Sequence, residues 1–399
     1  MVAFFHKFGP IKHVMERFRR RPGRHFTLDV CEPPLRAELF GLEQFSSHGQ
    51  DLTTTHDLDP HPGAEYLLPR LTENARVIRH AYDVVAEAVR DNHQVAPAGE
   101  WLLDNYYLIA EQIDIARMHL PKGYSRELPR LRTGPLKGFP RIYDLALELV
   151  SHTDGCVDAD NVTHFVQAYQ RVSALKLGEL WAIPIMLRLA LLENLRRVAY
   201  RIIWRLQHRT MALEWARRFT TVVQEDPRLF VTELADFVRA NPPMSPPFIS
   251  ELFANIEGIH SVVSLAINWI EQELSQQGQT IELIQQAESQ DQAADHVSIG
   301  NTITSLRTLN GIDWQKFVES LSVTEAVLRR DPAGIYARMD FRTRDRYRHV
   351  VENLAKQSGR AEEAVAETAI KLTVARRDRM APERREWHVG YFLIDKGLP

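Results

Sequence analysis

The feature that most constrains this chain is a run of apolar residues at helical spacing between Leu177 and Leu206. The apolar positions lie three or four residues apart, so they form one stripe along a helix. Trp181 and other apolar residues lie off the stripe, which indicates burial on more than one side. We predict a central helix of the core that is kinked at Pro184. Its stripe is Leu177, Leu180, Pro184, Leu187, Leu191, Leu195, Val198, Ile202 and Leu206.

Helical patterns fill most of the remaining chain, and strand patterns are scarce. Gly278 and Gly359 stand where glycines would end helices, and the residues from Trp387 to Ile394 alternate weakly, which favours a short extended segment. We predict an all-α fold of two packed helical subdomains. The predicted helices include 73–91, 142–150, 162–172, 248–254, 260–276, 281–294, 299–309, 313–328, 342–356 and 360–377, and another that begins at Pro97.

The proline-rich stretch Asn241-Pro-Pro-Met-Ser-Pro-Pro247 is the clearest boundary, because it breaks a helix and favours extended backbone. We therefore divide the chain into four parts. They are a basic amphipathic arm and linker at 1–65, a helical subdomain with the kinked helix at 66–240, a second helical subdomain at 241–386, and a tail at 387–399 that leads towards a membrane region absent here.

Composition limits the classes of partner. The 399 residues are 44% hydrophobic and carry a net charge of −3, so we expect a sizeable core and no nucleic-acid partner. Cys31 and Cys156 are far apart, which argues against a disulfide framework and favours two buried thiols in a reducing compartment. Charges and Pro184 interrupt the longest apolar run, so no transmembrane helix is predicted.

The first 25 residues combine basic and aromatic side chains at near-helical spacing. This pattern suits a helix that lies on anionic lipid headgroups. A flexible basic arm, or a helix that packs on its own protein, explains the same pattern, and both interpretations stay open. The candidate lipid contacts are Lys7, Lys12, Arg19, Arg20 and Arg21.

Motifs of nucleotide and hydrolase sites are absent: the chain has no Walker loop, GxGxxG, HExxH or GxSxG. The triplets Asp57-Leu-Asp59 and Asp158-Ala-Asp160 do not follow buried strands, and Asp160 suits a helix N-cap. His152, beside Thr153 and Asp154, is interpreted as a cap or a satisfied core residue. We therefore assign no catalytic residue and no metal ligand.

Several polar residues lie within apolar helical faces, where buried charges need partners. Arginines and carboxylates paired between helices are the first interpretation. The alternative is a carbohydrate groove, in which aromatic faces stack on sugars and charged groups bind hydroxyls. The candidate sugar or acceptor contacts are Asp104, Tyr106, Tyr107, Tyr124, Glu179, Trp181, Arg188, Arg307, Asp345 and Tyr347.

A series of motifs, in order from about residue 33 onwards, resembles the N-terminal region of bacterial cyclic β-1,2-glucan synthases. It starts with Pro34-Leu-Arg-Ala-Glu-Leu39 and includes Trp101-Leu-Leu-Asp-Asn-Tyr-Tyr107, Glu111-Gln-Ile113, Leu120-Pro-Lys-Gly-Tyr124, Glu127-Leu-Pro129, Gly138-Phe-Pro-Arg-Ile-Tyr143, Gly178-Glu-Leu-Trp-Ala182, Leu192-Glu-Asn-Leu-Arg-Arg197, Ser298-Ile-Gly-Asn-Thr-Ile-Thr-Ser-Leu-Arg307, Asp313-Trp314, Met339-Asp-Phe-Arg-Thr-Arg-Asp-Arg-Tyr-Arg348 and Val389-Gly-Tyr-Phe-Leu-Ile394.

The resemblance implies a domain on the cytoplasmic side of the bacterial inner membrane, with the rest of a large synthase as its partner. It also implies that UDP-glucose and a divalent metal are used only by a transferase domain outside this chain, so no cofactor is expected here. We expect a non-catalytic domain that supports or regulates the transferase. A part that binds or primes the glucan, with a tyrosine as acceptor, and a stand-alone interaction protein are the alternatives.

Overall fold

The computed structural model describes residues 32–59, 61, 63–379 and 384–397. It contains 15 α-helices and almost no strand, and 74% of it is helical, so the predicted all-α class is confirmed. Pro33–Pro399 form one compact unit. The basic arm and its five candidate lipid contacts lie outside the described residues.

The helices fall into an N-terminal and a C-terminal series. The first comprises α1 (Leu42–Thr55), α2 (Leu67–Arg90), α3 (Pro97–His119), α4 (Arg141–His152), α5 (Ala159–Gln170), α6 (Leu177–Glu225), α7 (Phe230–Ala240) and α8 (Pro246–Ile256). The second comprises α9 (Ser264–Gln276), α10 (Ile281–Thr308), α11 (Trp314–Leu321), α12 (Val323–Leu328), α13 (Phe341–Ser358), α14 (Glu362–Arg379) and α15 (Gly390–Ile394). Two short strands, β1 (Leu58–Asp59) and β2 (Arg130–Leu131), pair antiparallel with Leu58 opposite Leu131.

The predicted central helix exists and is longer than its apolar stripe indicates. α6 has 49 residues, which at 1.5 Å per residue is about 73 Å. Pro184 lies inside the helix and removes the hydrogen bond to the carbonyl of Leu180.

At the start of the helix, the backbone N–H of Lys176 donates to the Glu179 carboxylate at 2.9 Å, which satisfies one of the open donors of the first turn.

Three hydrophobic clusters form the core. The first joins α1 to α5 with the front half of α6, the end of α10 and α11. The second joins the back half of α6 with α7, α8, α9 and the start of α10. The third joins α12, α13, α14 and α15. Both α6 and α10 therefore contribute to two clusters. The domain boundaries predicted from the sequence stay predictions.

Three local predictions were wrong. The segment from Trp387 onwards follows a 3-10 turn at Arg384–Trp387 and forms α15 instead of an extended tail, because Val389 N–H binds Asp331 and Leu393 is buried. α10 is continuous where we expected a break, because its polar Asp295 and Ser298 bond to α6. The helix expected over 313–328 ends at Leu321, where Ser322 caps α12.

Helix α1 was also missed from the sequence, and the prediction that Cys156 is buried was wrong. α1 lies in the segment assigned to the arm and linker, and it approaches α5 closely: a Cβ on Gly49 would lie 3.1 Å from the carbonyl oxygen of Phe165. Glycine therefore permits this contact. Cys156 is an exposed free thiol rather than a buried one, and Cys31 lies outside the described residues.

Over the part of the chain that the structure covers, no helix combines the length and apolar character needed to cross a membrane.

Truncation of one side chain in the α6 stripe should show how much the first hydrophobic cluster contributes to the free energy of unfolding. Leu191 is fully buried, so Leu191→Ala should lower the free energy of unfolding by about 2–5 kcal/mol through lost burial and a cavity. Urea denaturation followed by circular dichroism measures this. The matched control is Leu283→Ala at an exposed position of α10; an equal loss in both variants would contradict the central role of the stripe.

Candidate functional site

The ten predicted sugar-contact residues lie on four helices and in one 3-10 turn. Asp104, Tyr106 and Tyr107 lie on α3, and Arg307 of α10 joins them by donating to Asn105 of α3 at 2.6 Å. Glu179, Trp181 and Arg188 lie on α6, Asp345 and Tyr347 on α13, and Tyr124 in a 3-10 turn between α3 and α4. The structure does not gather them into one groove.

Burial separates the candidates further. Glu179, Arg188 and Tyr347 are buried, whereas Asp104, Tyr107 and Arg307 are exposed and the rest are half-buried. A direct contact with a sugar needs an accessible side chain, so the exposed group on α3 is the more accessible candidate. Sugar contact by any of the ten stays a prediction.

Glu179 belongs to a buried ion pair at the start of α6. The Arg141 guanidinium donates to both carboxylate oxygens, each at 2.7 Å, and also to Ser173 and to the carbonyl of Ala174. Burial lowers the pKa of Arg141, but the bonds to Glu179 outweigh it and raise the pKa above its ordinary value. This bidentate pair attaches α4 to α6.

Glu193, five residues beyond Arg188 on α6, is the centre of a second network. Arg70 of α2 donates to both of its oxygens at 2.9 and 2.7 Å, and Arg196 and Arg197 donate at 2.8 and 3.1 Å. Burial raises the pKa of Glu193, but the bonds and charges of Arg196 and Arg70 outweigh it and lower the pKa to about 2. The carboxylate is therefore charged throughout the neutral range.

A third network joins α6 to α10. Arg205 donates to Glu288 at 2.9 Å and also bonds to Asp295, while Arg201 donates to Asp295 at 2.8 Å and to Asp291 at 2.9 Å. These pairs explain why the polar middle of α10 can be helical and partly buried.

Arg188 differs from the other buried arginines of α6. It donates to the amide oxygens of Gln112 at 2.9 Å and Asn310 at 2.6 Å. Burial lowers its pKa. Arg188 thus joins α3 and the residues after α10 through neutral acceptors.

The third hydrophobic cluster contains its own charged centre. Arg348 is fully buried and donates to Glu319 at 3.0 Å, Glu325 at 2.7 Å and Asp345 at 3.0 Å. The Tyr336 hydroxyl donates to Glu325 at 2.6 Å. Arg348, with Asp345 on the same helix, therefore joins α13 to α11 and α12.

Tyr347 lies in a hydrogen-bonded chain with a histidine and an aspartate. Its hydroxyl is 3.2 Å from Nε2 of His388, whose Nδ1 donates to Asp331 at 3.0 Å. Asp331 also accepts the Val389 N–H at 2.9 Å. The side chain of Tyr347 is buried, so this chain connects the C-terminal residues to the turn after α12 inside the protein.

An aromatic patch with charges lies on the surface of α2 and α3. The rings of Tyr82 and Tyr106 stack with centroids 4.1 Å apart, and the Arg79 guanidinium lies over both rings. The neighbouring Tyr107 is 82% exposed. Half-buried aromatic rings beside Arg79 and Asp83, with the exposed Tyr107 next in sequence, thus bring aromatic and charged groups together at the surface.

A polar cleft lies between the α2–α3 linker, α6, α8 and α10. The Arg209–Glu251 ion pair, at 2.6 Å, lines it together with Glu288 and Gln292. None of the ten predicted residues lines this cleft. Its position at the junction of four elements required the tertiary structure.

Both Asp-x-Asp triplets are engaged in local structure. Asp57 binds Arg132 with two hydrogen bonds of 2.8 and 2.6 Å beside the short strands. Asp158, rather than the predicted Asp160, caps α5 by accepting the Asn161 N–H. Neither triplet follows a buried parallel strand, which is where a nucleotide-sugar site would need it.

The paired Glu193 should make folding sensitive to acid. Its pKa is lowered in the folded protein, so its stabilisation is complete above about pH 4.5 and is lost as the pH falls towards 2. The loss is on the order of 3 kcal/mol. Glu193→Gln should destabilise the protein at neutral pH and flatten this acid dependence in urea titrations. Glu363→Gln, at an exposed position of α14, is the control; an identical pH profile in Glu193→Gln and wild type would refute the assignment.

Comparison with known proteins identifies one related sequence region. No protein-family model matches the chain. The chain is 33% identical over 332 residues, 82% of its length, to the curated "Cyclic beta-(1,2)-glucan synthase NdvB" of Rhizobium meliloti (strain 1021). It spans 11% of that relative's length. The resemblance predicted from the motifs is therefore confirmed, and the chain is related to a region of a cyclic beta-(1,2)-glucan synthase.

Proposed function

We propose that this chain is a non-catalytic, N-terminal helical domain of a cyclic β-1,2-glucan synthase that supports or regulates the membrane-bound glucosyltransferase. The similarity to a synthase over 82% of the chain favours this role over a stand-alone interaction protein. The bond-making residues then belong to other parts of the enzyme.

One observation carries the proposal: within the described residues, each buried carboxylate has a basic partner in this chain. These carboxylates stabilise helix packing, and each has at least one oxygen in an ion pair with an arginine or histidine of this chain. The pairs are Asp154 with Arg36, Glu179 with Arg141, Glu193 with Arg70, Glu288 and Asp295 with Arg205, Glu325 with Arg348, and Asp331 with His388.

The proposal extends to partners and location. The domain would bind the remainder of the synthase on the cytoplasmic side of the inner membrane, with the basic arm at 1–25 on anionic lipid. UDP-glucose and a divalent metal would be used by the transferase domain. The length difference supports this division, since the relative has most of its sequence outside the matching region.

Two measurements test the supporting role. The purified chain with UDP-glucose and Mg²⁺ should form no glucan. In the Rhizobium meliloti synthase, deletion of the matching region should remove most glucan synthesis, and replacement by residues of this chain should restore it. Glucan made by the chain alone would refute the proposal.

A replacement that carries Glu193→Gln separates support from catalysis. Because Glu193 stabilises the fold, this variant should reduce the amount of folded synthase but leave the activity per folded molecule near that of the unmodified replacement. Glu363→Gln in the same context is the control and should change neither quantity. A fall in activity per folded molecule would indicate a direct role in the reaction.

A second candidate function is contact with the glucan or acceptor at the aromatic patch of Tyr82, Tyr106 and Tyr107. The Tyr82–Tyr106 stack with Arg79 and the exposed Tyr107 favour it. This function would add to the supporting role, because a bound glucan would be held near the transferase without any bond being made here.

Titration of the chain with linear β-1,2-linked glucose oligosaccharides tests the patch. If it binds sugar, Tyr107→Ala and Tyr106→Ala should raise the Kd by about tenfold or more, as loss of an aromatic anchor does. Calorimetry measures the Kd. Met118→Ala, at another exposed position of α3, should leave it unchanged. Binding that survives both tyrosine variants would place the sugar elsewhere.

A further inference from the structure

Three potential metal ligands meet where α1 packs beside the end of α4. Glu148 and His152 lie one turn apart on α4, and His48 comes from the middle of α1. The Nε2 atom of His48 is 2.9 Å from Oε2 of Glu148, and Nε2 of His152 is 3.4 Å from the same oxygen. One ligand atom from each residue lies within 4.8 Å of the other two.

The hydrogen bond of His152 leaves its other ring nitrogen available as a metal ligand. Its Nδ1 is 2.7 Å from the backbone carbonyl oxygen of Glu38, which only accepts, so Nδ1 carries the proton. In the neutral ring Nε2 then has a lone pair, and it faces a carboxylate oxygen that also only accepts. A metal ion between Nε2 of His152 and this oxygen would be bound by a lone pair from each.

We propose that His48, Glu148 and His152 bind a divalent transition-metal ion of the zinc class. Two imidazole nitrogens and one carboxylate oxygen are a ligand set that zinc uses, with the fourth position left for water or another oxygen ligand. Tetrahedral bonds of 2.0–2.1 Å place ligand atoms about 3.3 Å apart. The separations of 2.9 and 3.4 Å to the Glu148 oxygen bracket that distance, and the two histidine nitrogens lie within 4.8 Å of each other.

The rings are already held in position by their neighbours. Phe40 stacks on His152 with centroids 3.7 Å apart, and Phe165 stacks on His48 with centroids 6.2 Å apart. The bond from Nδ1 of His152 to a carbonyl is the outer contact that usually fixes the tautomer of a metal-binding histidine. The ligands therefore need little reorganisation to bind an ion.

Backbone hydrogen bonds also fix the segment before α1 against the end of α4. The N–H groups of Ala37 and Phe40 donate to the carbonyls of Ser151 and His152 at 3.0 and 3.1 Å. The segment before α1 thus runs along the end of α4. The three ligands are half-buried, so an ion can enter from solvent, and once bound it would cross-link α1 to α4.

The test uses the full 399-residue chain after treatment with a chelator. Calorimetric titration with Zn²⁺, with elemental analysis of the dialysed protein, should show one ion per chain. His48→Ala and Glu148→Gln should each weaken binding by at least about 10- to 100-fold, the range lost even with an outer-shell partner. Zn²⁺ should raise the Tm of the wild type and not that of these variants, because the ion binds only the folded site.

His164→Ala is the matched control, since it removes an exposed histidine of α5 outside the cluster. It should keep wild-type affinity and the Tm increase. Glu148→Gln preserves side-chain size, and circular dichroism verifies that it folds, so loss of binding there cannot be attributed to unfolding. Wild-type affinity equal to that of Glu148→Gln, or an equal loss in His164→Ala, would overturn the metal site.

Discussion

The rest of the structure depends on the pairing of charges that α6 carries into the core. Glu179, Glu193 and Arg205 lie on this 49-residue helix and are buried. An unpaired buried charge costs several kcal/mol, so each needs a partner on the helix that packs against it. Arg141 of α4, Arg70 of α2 and Glu288 of α10 meet this need. These contacts specify which helix packs at which position, a selectivity that apolar contacts alone lack.

Buried ion pairs also connect helices that belong to different hydrophobic clusters. α6 and α10 each contribute to two clusters, and the Arg205 network joins the two helices between them. In the third cluster, Arg348 with Glu325 and the Asp331–His388 contact hold α13 and the C-terminal residues. Ion pairs and hydrogen bonds therefore connect the helices both within and between the clusters. The accessible chemistry lies at its periphery, on the tyrosine patch and at the histidine cluster.

Much of the fold was predictable because its signals are local. The stripe from Leu177 to Leu206 and the turn glycines Gly278 and Gly359, both with positive φ, marked helices and their ends. α1 was missed because its sequence has few apolar residues and a glycine, and only its packing against α5 makes it stable. The continuous α10 was missed because Asp295 is stabilised by arginines that lie about ninety residues away along the chain.

Sequence by itself determined the all-α class, the central helix and the relation to a glucan synthase, because periodicity and ordered motifs are properties of neighbouring residues. Only the tertiary structure decided which polar residues are buried in pairs and which are accessible. Glu179 and Tyr107 are both polar residues in apolar helical runs, yet one is enclosed by Arg141 and the other faces solvent. His48 and Glu148 are 100 residues apart and become neighbours only through packing. Long-range contacts of this kind follow from the energy of the whole fold, so no local pattern encodes them.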